Sequence, residues 1–210
     1  MESAKASLMV RVVGLGERGY YAELLTDGER ERAEKITSDS LRARFVVSRG
    51  LRRKVLAEVT GRAVGELEFI EDSDTKPRLL DHDGWDFNVS HAGDYVAVAA
   101  GRCRVGIDLE KMREVPEMEA IMDRYFHPDE AAAWRALNES LRAEGFFVLW
   151  SAREAAMKCC GLGLAKGLSV TRIDPAFLRE RIAEAKVGDK VVEVEKFDAP
   201  AGYLMVVARD

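Results

Sequence analysis

Sulfur chemistry is nearly absent from this chain. Its three cysteines, Cys103, Cys159 and Cys160, form no CxxC pair and no metal-spaced set. Adjacent cysteines seldom bond each other, so a disulfide scaffold and a zinc module are excluded, and a reduced, cytoplasmic protein is expected. Nothing approaches the roughly 20 consecutive apolar residues that a membrane helix needs. The opening residues lack the apolar core of a secretory signal. A Ser/Gly-rich linker is missing, as is any clear internal repeat. So is an excess of positive charge: the net charge is −5, which argues against general nucleic-acid binding.

What remains is a globular composition. Hydrophobic residues make up 47% of 210, enough for a sizeable core in one large domain or two small ones. One stretch departs from the acidic balance. Residues 40–54 hold Arg42, Arg44, Arg49, Arg52, Arg53 and Lys54 with no acid among them. A cationic helix face of that kind suits an anionic ligand or an acidic partner.

Periodicity predicts strands over residues 8–13, 66–70, 86–90, 95–100 and 103–110. It predicts helices over 28–36 and about 40–59, the second capped by Ser38 or Ser40 and stopped by Gly61. A polar connection holding Lys76, Pro77 and Arg78 precedes the strand at 86, and His91 is expected in the turn just past that strand. The second half predicts helices over 116–125, 129–144 and 146–160. Pro128 opens the middle one, Gly145 breaks it, and Gly161 ends the last. A glycine-rich loop at 161–167 and strands over 169–173, 183–187, 191–197 and 203–208 follow. Each half runs helix first, then strands. The class is α+β, divided into an N-terminal half, 1–104, and a C-terminal half, 105–210.

Asp108 and Glu110 stand two apart on one strand, so their carboxylates share a face, with Ile107 and Leu109 on the other. Glu154 and Lys158 stand four apart on a helix and share a stripe with Trp150. Taken separately, these are a solvated strand face and an ordinary helix ion pair. Taken together, three hard oxygen donors suit Mg²⁺ and a phosphate-bearing ligand. Ser90 and His91 beside a turn can cradle a phosphate, and Lys76 and Arg78 around Pro77 can reach one. The spacing of Gly161, Gly163 and Gly167 matches neither common nucleotide fingerprint.

The ordered motifs FNVSHAG (Phe87 to Gly93), VGIDLE (Val105 to Glu110) and WSAREAAMKCCGLGL (Trp150 to Leu164), with TKPRL from Thr75 upstream, resemble the 4′-phosphopantetheinyl transferases of the large, pseudodimeric, surfactin-synthetase-activating type. The resemblance implies two similar α/β halves forming an intramolecular pseudodimer that binds coenzyme A between them and works as a monomer. It also implies transfer of 4′-phosphopantetheine from coenzyme A to a serine of an acyl or peptidyl carrier protein, leaving adenosine 3′,5′-bisphosphate. Carried over residue by residue, Asp108, Glu110 and Glu154 match the Mg²⁺-binding acids. Lys158 matches the phosphate-contacting lysine, and Ser90, His91, Lys76 and Arg44 match coenzyme A contacts. Arg153 stands where the family's helix motif has Lys; it either grips the pyrophosphate as a planar fork or pairs with a carboxylate. Glu154 or a metal-bound water is the expected base, with Glu130 a further candidate. The carrier is expected to dock on the cationic helix or near Phe126 and Trp134. A metal-dependent phosphohydrolase and a non-catalytic coenzyme-binding module are the rivals, distinguished by whether a carrier gains mass.

Overall fold

The computed structural model describes residues 8–72, 75–81 and 84–210. The chain is mixed α and β and divides into two compact units, Met1–Arg104 and Val105–Asp210.

In the first unit β1 (Leu8–Gly14) leads through a short α1 (Arg18–Ala22) to α2 (Asp27–Glu34) and the long α3 (Asp39–Thr60). The strands β2 (Phe69–Ile70), β3 (Arg78–Leu79), β4 (Asp86–Ala92) and β5 (Tyr95–Gly101) follow. The main sheet is antiparallel in the order β1-β5-β4, with β2 and β3 paired separately. Local chemistry sets the helix ends. Thr26 and Glu29 exchange capping bonds at the start of α2, Ser38 caps α3 through the Leu41 amide, and Gly61, at φ 73°, ends α3 in the left-handed conformation. Val47, Leu51, Val55 and Leu56 of α3 form a core with Phe87, Val96 and Val98.

Three expectations change here. The strand expected over 66–70 shrinks to Phe69–Ile70, because Val64–Glu66 winds into a 3₁₀ turn. His91 lies within β4, opposite Val96, not past its end. The hairpin turn needs only Gly93, at φ 49°, and Asp94, so pairing continues to Ala92 and Tyr95. The cationic face is also largely turned inward. Arg52 and Arg53 are each 4% exposed and donate to Glu29 at 3.0 and 2.8 Å. Arg49 and Arg52 both engage Glu71, and Arg42 donates to the Ile36 carbonyl at 3.0 Å. Burial opposes ionisation of Glu29, but hydrogen bonds from Arg53 and the Thr26 amide outweigh it and hold the carboxyl below its usual range. Charges committed in this way are not offered to a carrier.

In the second unit β6 (Val105–Lys111) is followed by α4 (Met118–Tyr125), α5 (Pro128–Arg135), α6 (Glu139–Cys160) and the single turn α7 (Leu164–Gly167). Strands β7 (Thr171–Ile173), β8 (Ile182–Val187), β9 (Lys190–Phe197) and β10 (Tyr203–Arg209) complete it. Its antiparallel sheet runs β6-β10-β9-β8-β7, and α6 packs against every strand. The helix break falls at Ala136–Asn138, not at Gly145. Gly145 stays inside α6 because its missing side chain admits Leu137 and Trp134; a Cβ there would lie 2.5 Å from Leu137 Cδ1. Trp134 then closes the corner by donating to the Arg142 carbonyl at 2.7 Å. Phe126 and Trp134 are 7% and 3% exposed and belong to the core, so neither presents a docking surface. The expected loop at 161–167 contains the turn of α7, which leads into β7.

Candidate active site

Alternation on β6 puts Gly106, Asp108 and Glu110 on one face. Gly106 identifies what that face meets. A Cβ added there would collide with the Ala155 carbonyl oxygen and the Cys159 amide nitrogen of α6. Helix and strand therefore touch backbone to backbone. At this close approach Lys158 Nζ lies 2.6 Å from Asp108 Oδ1 and 3.6 Å from Glu154 Oε2. Asp108 is nearly buried, with 5% of its side chain exposed, and Glu154 retains 14%. Glu110 receives Arg113 at 3.5 Å.

The acids feel one another. Burial first, and then the Asp108 charge, raise the Glu110 carboxyl above its ordinary range, against the pull of Arg113. Burial also raises Glu154; Lys158 opposes the shift, while Asp108 and Glu110 add to it. Desolvated like charges of this kind call for a cation. The expected convergence of three acids is nonetheless looser than a closed metal cluster. Among the described residues no group of three or more His, Cys, Asp or Glu side chains is arranged to hold a metal ion. The Lys158 ammonium sits between Asp108 and Glu154, and Glu110 leans on Arg113. Mg²⁺ asks for less than a full protein cage: it takes one or two carboxylates and fills the rest with water and substrate phosphate. Asp108 and Glu154 reach the same ammonium, so this pair fits that requirement.

Arg153 and Glu130 lie elsewhere. Arg153 is 1% exposed and Glu130 is fully buried; they form an ion pair. Of the two alternatives for Arg153, pairing with a carboxylate is the one found, and its guanidinium is not presented to a ligand. Glu130 also accepts from the Ile173 amide at 2.5 Å and the His127 amide at 2.6 Å, which removes it as a base.

The first unit carries a cavity of about 410 Å³. Arg44, Ser48 and Arg52 of α3 line it on one side, Pro77 and His91 on the other, and Phe45 supplies an aromatic wall. Arg44 Nε, Ser48 Oγ and Arg52 Nε are buried there with no hydrogen-bond partner among the described residues, an arrangement that favours a polar ligand. Arg44 and His91 thus share one cavity. Lys76 is not one of the residues that line it; its ammonium lies 2.5 Å from Asp86. Ser90, buried, points to the opposite face of β4 from His91. Phe45 and Ser48 were not expected at a site, and Arg52 only as a member of the cationic face. Their spacing with Leu41 and Arg44, at 41, 44, 45, 48 and 52, is a helical stripe that marks one face of α3.

An α+β chain that brings acids and a lysine together on one strand and helix, and keeps an arginine-lined cavity, belongs to the class of proteins that handle phosphate-bearing ligands. The chain belongs to the 4′-phosphopantetheinyl transferase superfamily. The family model of that description matches residues 104–203, and a second model, "4′-phosphopantetheinyl transferase, N-terminal", matches residues 18–103. Among its relatives, the 4′-phosphopantetheinyl transferase HetI of a Nostoc species is 32% identical over 166 residues, covering 75% of this chain and 70% of the relative. A 4′-phosphopantetheinyl transferase of Bacillus subtilis is 27% identical over 202 residues, covering 95% and 88%. The mouse L-aminoadipate-semialdehyde dehydrogenase-phosphopantetheinyl transferase is 28% identical over 158 residues, covering 70% and 50%. The chain is an enzyme that transfers phosphopantetheine from coenzyme A to carrier proteins.

Proposed function

We propose that Asp108, Glu110, Glu154 and Lys158 form the transfer centre and that the cavity at Arg44 and His91 takes the nucleotide end of coenzyme A. The observation that carries this reading is the meeting of Lys158 with both Asp108 and Glu154. The finer view of the fold, two similar halves of one pseudodimer, belongs to the same reading. In its support, each unit sets one 22-residue helix, closed by a left-handed glycine, against an antiparallel sheet.

The carrier serine Oγ attacks the phosphorus on the pantetheine side of the pyrophosphate. The Oγ–P bond forms, the bridging P–O bond breaks, and adenosine 3′,5′-bisphosphate leaves with that electron pair. Lys158 would offset the negative charge on the phosphoryl oxygens. Glu154, 3.6 Å from Lys158, would take the serine proton. Asp108 and Glu154 would hold Mg²⁺, with Glu110 next to them, and when bound it supplies Lewis-acid neutralisation of the phosphates. Arg44 would grip a phosphate as a fork, and Phe45 offers a face to the adenine.

Calorimetry separates the two parts. Arg44→Glu should weaken coenzyme A binding by at least about tenfold, since a charge-assisted bond becomes a repulsion. Turnover at saturating coenzyme A should remain within about threefold, because uniform binding affects KM and not kcat. Unchanged affinity would remove the cavity from the coenzyme site.

A further inference from the structure

We infer that the buried Arg153–Glu130 pair is a positioning strut that fixes the rotation of α6 and so presents Glu154 and Lys158 to Asp108. The inference rests on the transfer centre proposed above. Arg153 heads the fully buried side chains among the described residues, and its neighbour in sequence is Glu154. Successive residues on a helix point about 100° apart, so α6 is held on two different sides. On one side, Ala155 and Cys159 rest on Gly106. On the other, Arg153 engages Glu130 on α5 and the Leu168 carbonyl at 3.0 Å, with its guanidinium carbon 4.6 Å from the centre of the Phe126 ring. Glu130 passes the hold on to β7 through the Ile173 amide and to the start of α5 through the His127 amide. One turn further along α6, Met157 fills the space a side chain at Gly167 would need, and the Leu162 amide bonds the Met157 carbonyl at 2.9 Å. The segment after the helix is thus folded back and pinned at Arg153. Glu154 and Lys158 lie between the two holds.

A single truncation leaves an unpaired buried charge and invites unfolding, so the test uses the double variant Arg153→Met with Glu130→Gln, which removes both charges together and keeps an acceptor for one of the two amides, which bond different oxygens of Glu130. The full chain is assayed well below its melting temperature with coenzyme A and an apo-acyl carrier protein that the wild type modifies. The expected result is native circular dichroism, coenzyme A affinity within about threefold of wild type, and kcat lowered by about 10²-fold, the scale at which small displacements of a reacting group act. Arg153→Lys, which restores a charge opposite Glu130, should recover most of the lost kcat. A double variant with wild-type kcat would overturn the strut. So would a parallel loss of coenzyme A affinity and circular dichroism, or an Arg153→Lys variant as slow as the double variant. If the wild type itself adds no mass to the carrier, the transfer reading fails instead.

Discussion

Asp108→Ala and Glu154→Ala, made separately, are expected to lower carrier modification by about 10²–10³-fold, the usual cost of removing one preorganised group that acts on charge in the transition state. Both should remain folded. Asp108 is nearly buried, but truncating it does not strand Lys158, which keeps Glu154 at 3.6 Å. Truncating Glu154 leaves Lys158 on Asp108 at 2.6 Å. Removal of Asp108 also relieves the repulsion that adds to the upward shift of the Glu110 and Glu154 carboxyls. The melting temperature should therefore move by only a few degrees, or rise, while activity collapses; such a separation is common where function requires like charges to be held together. Intact-mass kinetics on an apo-carrier and a thermal melt on the same sample read both quantities. Either variant retaining more than half of wild-type activity would remove that residue from the centre.

Gly106→Val should abolish activity by a different route. The side chain would enter space held by backbone atoms of Ala155 and Cys159, which cannot rotate out of the way as a flexible side chain can. Overpacking costs about 1–3 kcal/mol and occasionally more, and a backbone clash belongs at the upper end. At about 2–4 °C per kcal/mol for a chain of this size, the melting temperature should fall by roughly 10 °C. Any surviving folded protein must move α6 away from β6, separating Lys158 from Asp108. Ile107→Val, a conservative change on the opposite face, should cost about 0.5–1.5 kcal/mol and leave kcat in place. A Gly106→Val protein with wild-type melting and turnover would contradict the packing described.

The element pattern was legible where local chemistry decides it. Ser38, Gly61, Pro128 and Gly161 act where the capping and turn preferences place them. Gly145 shows the limit: a glycine that looks like a helix break is retained for tertiary packing, and the real break falls at Ala136–Asn138, where Asn138 takes the N-cap of α6 without a side-chain capping bond. His91 shows another, since a hairpin turn of two residues leaves more of the chain in the strand than the word SHAG suggests. The acids and Lys158 were readable because a strand period of two and a helix period of four are local. Arg153 was readable only as a pair of alternatives, because its partner, Glu130, is 23 residues away and nothing in either segment names the other. The arginines of α3 misled for the same reason. Their composition suggests an open cationic face, but Glu29 and Glu71, distant in sequence, absorb most of it.

The most direct test is the intact mass of apo-acyl and apo-peptidyl carrier proteins after incubation with the full chain, coenzyme A and Mg²⁺, beside the same mixture with a chelator and the same mixture with Asp108→Ala. A mass gain of one phosphopantetheine on the wild-type carrier, lost when its acceptor serine is replaced and lost in both control mixtures, is the expected result. An equal gain with Asp108→Ala, or an equal gain in the presence of the chelator, would contradict a transfer centre built on Asp108, Glu154 and a bound divalent cation.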